Sequence, residues 1–291
     1  MKMTSAVGWV MTLVVLLGLP AGSCSQTERT TGSGDVAKTL KAAADALGMA
    51  RWSGLGGGEL PEIDVVNRVD FRATGSTYGS DEEPALTTEY HCALSYNPPA
   101  MRVEMTRTVG TVSQHTIQTV RENYAWNESE LGGGLEPGRG TATPDMAALK
   151  QRLLQLWILP YGVVKASSAA GDKTKVSKEN GNTVISFPLT GELSGITVRA
   201  TLDDKNLIAK VETQADNRSL SRMDLETQYS NYADLGEAPT EVLFPAHIVQ
   251  KQGGHKVMDI QVKSVDISPY LVFPVPPNVR KEALRQSAVN K

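Results

Sequence analysis

Residues 86–96 read LTTEYHCALSY, and this stretch indicates the class of fold. Apolar side chains recur on one side of the alternation, at Leu86, Tyr90, Cys92, Leu94 and Tyr96, whereas Glu89 and His91 lie on the other. Because successive side chains of a strand point to opposite faces, this period of two predicts a β-strand with one buried face and one solvated face.

The same alternation recurs along the chain, which predicts a sheet built largely of such strands. The further segments are residues 63–71, 101–105, 196–202, 223–229 and 258–262. Asn180-Gly181 separates two alternating runs and is a strong signal for a two-residue hairpin. One-sided strands joined by hairpins indicate an antiparallel sheet with one wet face.

Two segments have helical rather than strand spacing. The first is expected to run from a capping residue, Asp35, to a terminating glycine, Gly48. The second is expected to begin at Thr143-Pro144, with Thr143 as the cap and Pro144 at the first helical position, and to end near Pro160.

These elements predict an α+β fold in which a long curved antiparallel sheet carries helices on its apolar face. No linker-like stretch divides residues 35–280, so we expect one domain there. Residues 281–291 are expected to form a frayed tail.

The N-terminus has the pattern of an export signal. Lys2 precedes a short apolar run at residues 8–19, which predicts a signal peptide over residues 1–23. The residues Ala21-Gly22-Ser23 suit ordinary cleavage, but followed by Cys24 they also resemble the bacterial lipobox, although Ala21 stands where that motif usually has leucine.

The residues after Cys24 favour the lipid interpretation. Residues 24–34 are polar and rich in Gly, Ser and Thr, as is typical of a flexible tether. We therefore expect Cys24 to be the lipid attachment site and the protein to be an outer-membrane lipoprotein facing the periplasm, with a soluble periplasmic protein as the alternative. The formal net charge of −3 gives no electrostatic reason to expect nucleic-acid binding.

Three segments resemble a known domain. Residues 156–162 (LWILPYG), the closing strands expected in residues 224–267 and the segment Phe273–Arg280 are similar to a domain found ahead of some exported metallo-β-lactamase-fold hydrolases. The chain therefore resembles a stand-alone relative of that domain over about residues 35–280. The resemblance implies the half-barrel of the periplasmic lipoprotein carriers, an incomplete antiparallel barrel with a hydrophobic cavity between the sheet and the helices.

Catalytic chemistry finds little support in the sequence. The four histidines form no His-x-His pair, so the resemblance is not expected to bring the metal site or the activity of the hydrolase. His91 and Cys92 are neighbours, but in a strand they would point to opposite faces, and Cys92 is expected to be a core residue. We expect no enzyme, no cofactor and no metal site.

The expected cavity is lined by a set of apolar residues that could equally well close an ordinary core. They are Leu153, Trp157, Ile158, Tyr161, Val198 and Leu225. With few aromatic residues in the chain, such a cavity would be chiefly aliphatic. The sequence thus favours a non-catalytic binding protein that holds an acyl chain or another hydrophobic ligand. The alternative is a docking module for an envelope partner, such as a separately encoded hydrolase.

Overall fold

The computed structural model describes residues 33–49, 66–79, 84–215 and 224–289. The predicted signal peptide, Cys24 and most of the predicted tether lie outside the described residues. The helices are α1 (Ser33–Ala46), α2 (Leu149–Ile158), α3 (Pro160–Ala169) and α4 (Pro277–Val289). The strands are β1 (Arg68–Tyr78), β2 (Pro84–Tyr96), β3 (Pro99–Val109), β4 (Val112–Arg121), β5 (Tyr124–Glu128), β6 (Ala142–Pro144), β7 (Lys175–Glu179), β8 (Asn182–Pro188), β9 (Ile196–Leu202), β10 (Ile208–Ala215), β11 (Leu225–Ala233), β12 (Phe244–Gln252) and β13 (His255–Ile267).

All 13 of these strands belong to one antiparallel sheet. Their order is β6-β5-β4-β3-β2-β1-β13-β12-β11-β10-β9-β8-β7, so β2 to β5 and β8 to β12 each lie between their chain neighbours, and β1 pairs with β13. The sheet curves without closing, because β6 and β7 are its two edges and do not pair with each other. The predicted α+β fold with an incomplete barrel is confirmed.

The apolar and polar residues that alternate in the sequence lie on opposite faces of this sheet. In β2, Cys92 and Leu94 are buried in the main core, whereas His91 lies on the outer face and bonds Asp70 of β1. The Asn180-Gly181 hairpin joins β7 to β8, and both residues have positive φ angles of 50° and 86°. Positive φ at both central positions suits the right-handed twist of the strands, as the sequence predicted.

Helices α1, α2 and α3 contribute buried residues to the core on the concave face. Helix α2 ends at Ile158 because the chain turns sharply at Leu159, where ψ is 150°, and Pro160 then takes the first position of α3. Gly162 permits this corner, since a Cβ there would lie 2.4 Å from the carbonyl oxygen of Leu156. The predicted end of the second helix near Pro160 is confirmed, but α3 was not predicted.

A buried arginine attaches α2 to one half of the sheet. The Arg152 guanidinium donates to the backbone oxygens of Thr119 at 3.0 Å and Trp126 at 2.6 Å. It also donates to Asn127 Oδ1 at 2.7 Å and to the Asp145 carboxylate at 2.6 Å. Burial lowers the pKa of Arg152, while Asp145 acts in the opposite direction. These bonds compensate for removing the charge from water.

Buried tyrosines attach the corner between α2 and α3 to the other half of the sheet. Tyr229 of β11 donates its hydroxyl to the Ile158 carbonyl at 2.8 Å. Tyr161 of α3 donates to the Leu243 carbonyl, next to β12, at 2.7 Å. Burial raises the pKa of both hydroxyl groups, so they remain donors.

The predicted start of the second helix was wrong. Residues Ala142–Pro144 form the edge strand β6, and α2 begins only at Leu149, after a short 3₁₀ turn at Met146–Ala148. A proline is tolerated at an edge because it has no N–H to leave unpaired. The neighbouring outward carbonyl, that of Ala142, accepts a hydrogen bond from Asn278 Nδ2 at 2.6 Å. Pairing with β5 therefore overrides the local helix-start signal.

The C-terminal segment differs from the expected frayed tail. Residues Pro277–Val289 form α4, whose Val279 and Ala283 are buried. Unlike α1–α3, α4 packs on the convex face, where Val279 meets Trp126 of β5. At the other end, α1 begins at Ser33, two residues inside the predicted tether.

We expect replacement of Arg152 by methionine to lower the free energy of unfolding by about 3 kcal/mol, because it leaves the buried carbonyl groups of Thr119 and Trp126 without this donor and Asp145 without its ion-pair partner. Lys150→Met on the same helix is the matched control and should change it by less than about 0.5 kcal/mol. Urea unfolding followed by circular dichroism measures both changes. Equal stability of the two variants would contradict the role given to Arg152.

Candidate functional site

The interior of the half-barrel contains a large cavity, which we call the mouth chamber. It has a volume of about 590 Å³ and lies between α2 and the inner faces of strands that include β1, β2, β3, β11, β12 and β13. The hairpin ends of these strands surround it, as shown by Tyr78, Gly79 and Gln252 in its wall. Its volume falls in the range of about 300–1,000 Å³ that is usual for small-molecule sites.

The wall of the mouth chamber is rich in flexible apolar side chains. Met101 and Met105 project from β3, Met258 from β13, Leu225 from β11 and Tyr90 from β2. Methionine has an unbranched, polarisable side chain that adapts to irregular apolar surfaces. The chamber can therefore adjust its shape to a flexible aliphatic chain.

A small inner pocket of about 20 Å³ lies beside the mouth chamber, closer to the core. Tyr90, Met101 and Met258 line both spaces, so the two lie next to each other. The deeper wall of the inner pocket includes Phe71, Cys92, Ile158, Tyr229, Ile248 and Ile260. The polarity of the wall thus decreases from the mouth inwards.

Two glutamines span the boundary between the mouth chamber and the inner pocket. Gln155 of α2 and Gln250 of β12 exchange amide hydrogen bonds of 3.3 and 3.0 Å, and Gln250 also donates to Thr227 Oγ1 at 3.2 Å. Both glutamines line the two spaces. This bridge satisfies polar groups that would otherwise be costly in an apolar wall, and it joins α2 directly to the sheet.

Polar residues also line the mouth chamber. Arg107, Gln118 and Gln151 contribute to its wall, and so does the Arg152–Asp145 ion pair at 2.6 Å. The chamber therefore combines apolar side chains with hydrogen-bond donors in the same wall. That distribution suits an amphiphilic molecule.

A second cavity, the side cavity, lies against the opposite face of α2. It has a volume of about 480 Å³ and is lined by Leu153, Trp157, Lys165 and Leu193, among others. The ring of Tyr96, also in its wall, lies 5.9 Å from that of Trp157 and 5.5 Å from Lys165 Nζ. Helix α2 thus separates two cavities where the sequence predicted a single one.

The predicted cavity residues are divided among these spaces. Leu153 and Trp157 line the side cavity, Ile158 lines the inner pocket and Leu225 lines the mouth chamber. Tyr161 and Val198 are completely buried in the core and line none of the three spaces. The structure therefore does not bring the predicted set together.

Several chamber residues were missed by the sequence analysis. Met101, Met105 and Met258 were assigned to the apolar sides of their strands, but not to a cavity. Their residue type could have indicated a cavity, because methionines repeated on inward faces suit an adaptable wall better than a rigid core. The sequence could not place Arg107 or the Gln155–Gln250 pair in the chamber, because their positions depend on how the strands and α2 meet.

Candidate catalytic groups are separated by the sheet. His91 Nε2 lies 2.8 Å from Asp70 Oδ1 on the convex face, whereas Cys92 faces the concave core. The described residues contain no group of three metal-ligating side chains. Within the same part of the chain, no helix is long and apolar enough to cross a membrane.

We expect Cys92 to resist alkylation in the folded protein, because burial raises the pKa of its thiol and only 1% of the residue is exposed. In a Cys24→Ser chain, iodoacetamide at mildly alkaline pH should add no mass to the native protein and one adduct after unfolding in urea. Mass spectrometry gives the count, and Cys92→Ala is the control. Rapid modification of the native chain would contradict the assignment of Cys92 to a dry core.

Comparison of the sequence with models of known protein families gives no match, and comparison with curated proteins also gives none. The resemblance to the half-barrel domain of exported hydrolases therefore stays a prediction.

Proposed function

We propose that this protein is a non-catalytic binding protein of the cell envelope that holds an acyl chain or another hydrophobic ligand in its half-barrel. The mouth chamber is the proposed site, and α2 forms its inner wall. The proposed binding residues are therefore those of the methionine-rich chamber wall and not the full set predicted from the sequence.

The observation that carries the proposal is the mouth chamber itself, with a volume of about 590 Å³. A half-barrel filled entirely by its helices would have no such space, because protein interiors are packed to near-crystalline density. The apolar wall supplies the free energy of burying a hydrocarbon chain, about 0.8 kcal/mol for each methylene group removed from water.

We expect Met258→Trp to weaken binding of dodecanol by about tenfold or more, equivalent to ~1.4 kcal/mol, because the larger side chain occupies the chamber. Gln261→Trp is the matched control, since Gln261 lies on the same strand but is exposed on the outer face. Isothermal titration calorimetry below the aggregation limit of the alcohol measures the affinity. Undetectable binding to the wild-type chain, or equal binding to the two variants, would contradict the proposed site.

Attachment to the outer membrane through Cys24 forms part of the proposal, supported by the lipobox-like residues Ala21-Gly22-Ser23-Cys24. Anchoring would hold the chamber close to a source of lipids. We expect cells grown with labelled palmitate to incorporate the label into the wild-type chain but not into a Cys24→Ala chain. Incorporation into neither chain would instead support ordinary cleavage and a soluble periplasmic protein.

The second candidate, a docking module for an envelope partner, is favoured by one surface feature. Leu131, Tyr270 and Val272 are 46%, 86% and 58% exposed and border a groove of about 320 Å³ on the convex face. Exposed apolar side chains in one place are more typical of interaction surfaces than of free protein surface. This groove is separated from the mouth chamber by the sheet, so the two candidates can be tested independently.

A further inference from the structure

Arg107 ends a row of inward-facing side chains on β3. Met101, Val103, Met105 and Arg107 follow one another at every second position and all line the mouth chamber. At about 3.3 Å per residue, the row extends for about 20 Å. A cation is therefore placed at the outer end of an apolar track that leads to the inner pocket.

No carboxylate neutralises Arg107 among the described residues. Its one hydrogen bond there joins Nη2 to Met105 Sδ at 3.4 Å, and it takes part in none of the ion pairs between these residues. The other charged groups of the chamber wall, Arg152 and Asp145, neutralise each other at 2.6 Å. The described wall therefore carries a net positive charge, located at Arg107.

Two side-chain amides also line the same chamber. Gln118 is the register partner of Val103 on the neighbouring strand β4, and Gln151 lines the chamber from α2. Side-chain amides can donate hydrogen bonds to anionic oxygens alongside a guanidinium, which itself offers paired donors in a planar fork. The described wall of the chamber thus offers the Arg107 guanidinium and two amide groups as donors to an anion.

We infer that the mouth chamber selects single-chain amphiphiles with an anionic head, which is bound by Arg107 while the aliphatic chain follows Met105, Val103 and Met101 inwards. This inference rests on the proposed function and specifies the ligand class of the same site. The shared chemistry is an anionic oxygen group on one hydrocarbon chain. The carboxylate of a fatty acid and the phosphate of a phospholipid-derived amphiphile both satisfy it.

The test compares three probes of equal chain length, namely dodecanoate, dodecyl phosphate and dodecanol, by calorimetry on the full chain at neutral pH. The wild-type protein should bind the two anions about fivefold more tightly than the alcohol, as expected for one partly solvated ion pair. The preference should decrease with added salt. The tighter of the two anions identifies the carboxylate or the phosphate source.

Substitutions then assign the preference to Arg107. Arg107→Gln should remove the preference for the anions over dodecanol, whereas Arg107→Lys should keep part of it. Arg72→Gln is the matched control, because Arg72 is exposed on the convex face of β1 and its loss changes the net charge equally. Near-ultraviolet circular dichroism verifies that each variant is folded.

The outcomes separate this inference from the proposed function. Equal wild-type affinity for dodecanol and the anions, or an unchanged preference in Arg107→Gln, would overturn the role of Arg107 while the hydrophobic site remains. Failure of all three probes to bind the wild-type chain would overturn both. Loss of the preference in Arg72→Gln as well would show a general charge effect and would also overturn the inference.

Discussion

The attachment of α2 to both halves of the open sheet is the constraint on which the rest of the structure depends. Arg152 holds the helix to β4 and β5, while Tyr229 and the Gln155–Gln250 bridge hold it to β11 and β12. Closing a barrel would satisfy every strand edge by pairing. In this protein the sheet stays open, and α2 holds its two halves together through buried polar contacts. The two faces of α2 are then walls of two separate cavities.

An open sheet also has to protect its edges from pairing with other chains. Pro144 and the Asn278 side chain occupy the edge at β6, and α4 packs beside it. The opposite edge, β7, is short and carries exposed Lys175 and Lys178. Charged and proline-containing edges resist the addition of a strand from another chain.

The chamber shows how one strand period can produce a chemical gradient. Because β3 turns alternate residues inwards, its sequence places two methionines and a valine in a row and then adds Arg107 at the mouth. The same geometry separates His91 from Cys92, since adjacent residues lie on opposite sides of the sheet. Adjacent residues such as His91 and Cys92 therefore cannot share a wall, whereas residues two positions apart, such as Met105 and Arg107, line the same one.

The sequence by itself determined the fold class, the Asn180-Gly181 hairpin, and the inward and outward faces of strands such as β2, β3, β9, β11 and β13, because these depend on local periodicity and turn chemistry. It did not single out β4, β5, β10 or β12. It could not determine that Thr143-Pro144 would pair as an edge strand, or that residues after 280 would form a helix on the convex face, since both depend on distant partners. Nor could it show that Leu153 and Trp157 line a different cavity from Leu225. Only the tertiary structure decided which cavity each residue lines, because that depends on the side of α2 to which the residue points and on the strands that meet it there.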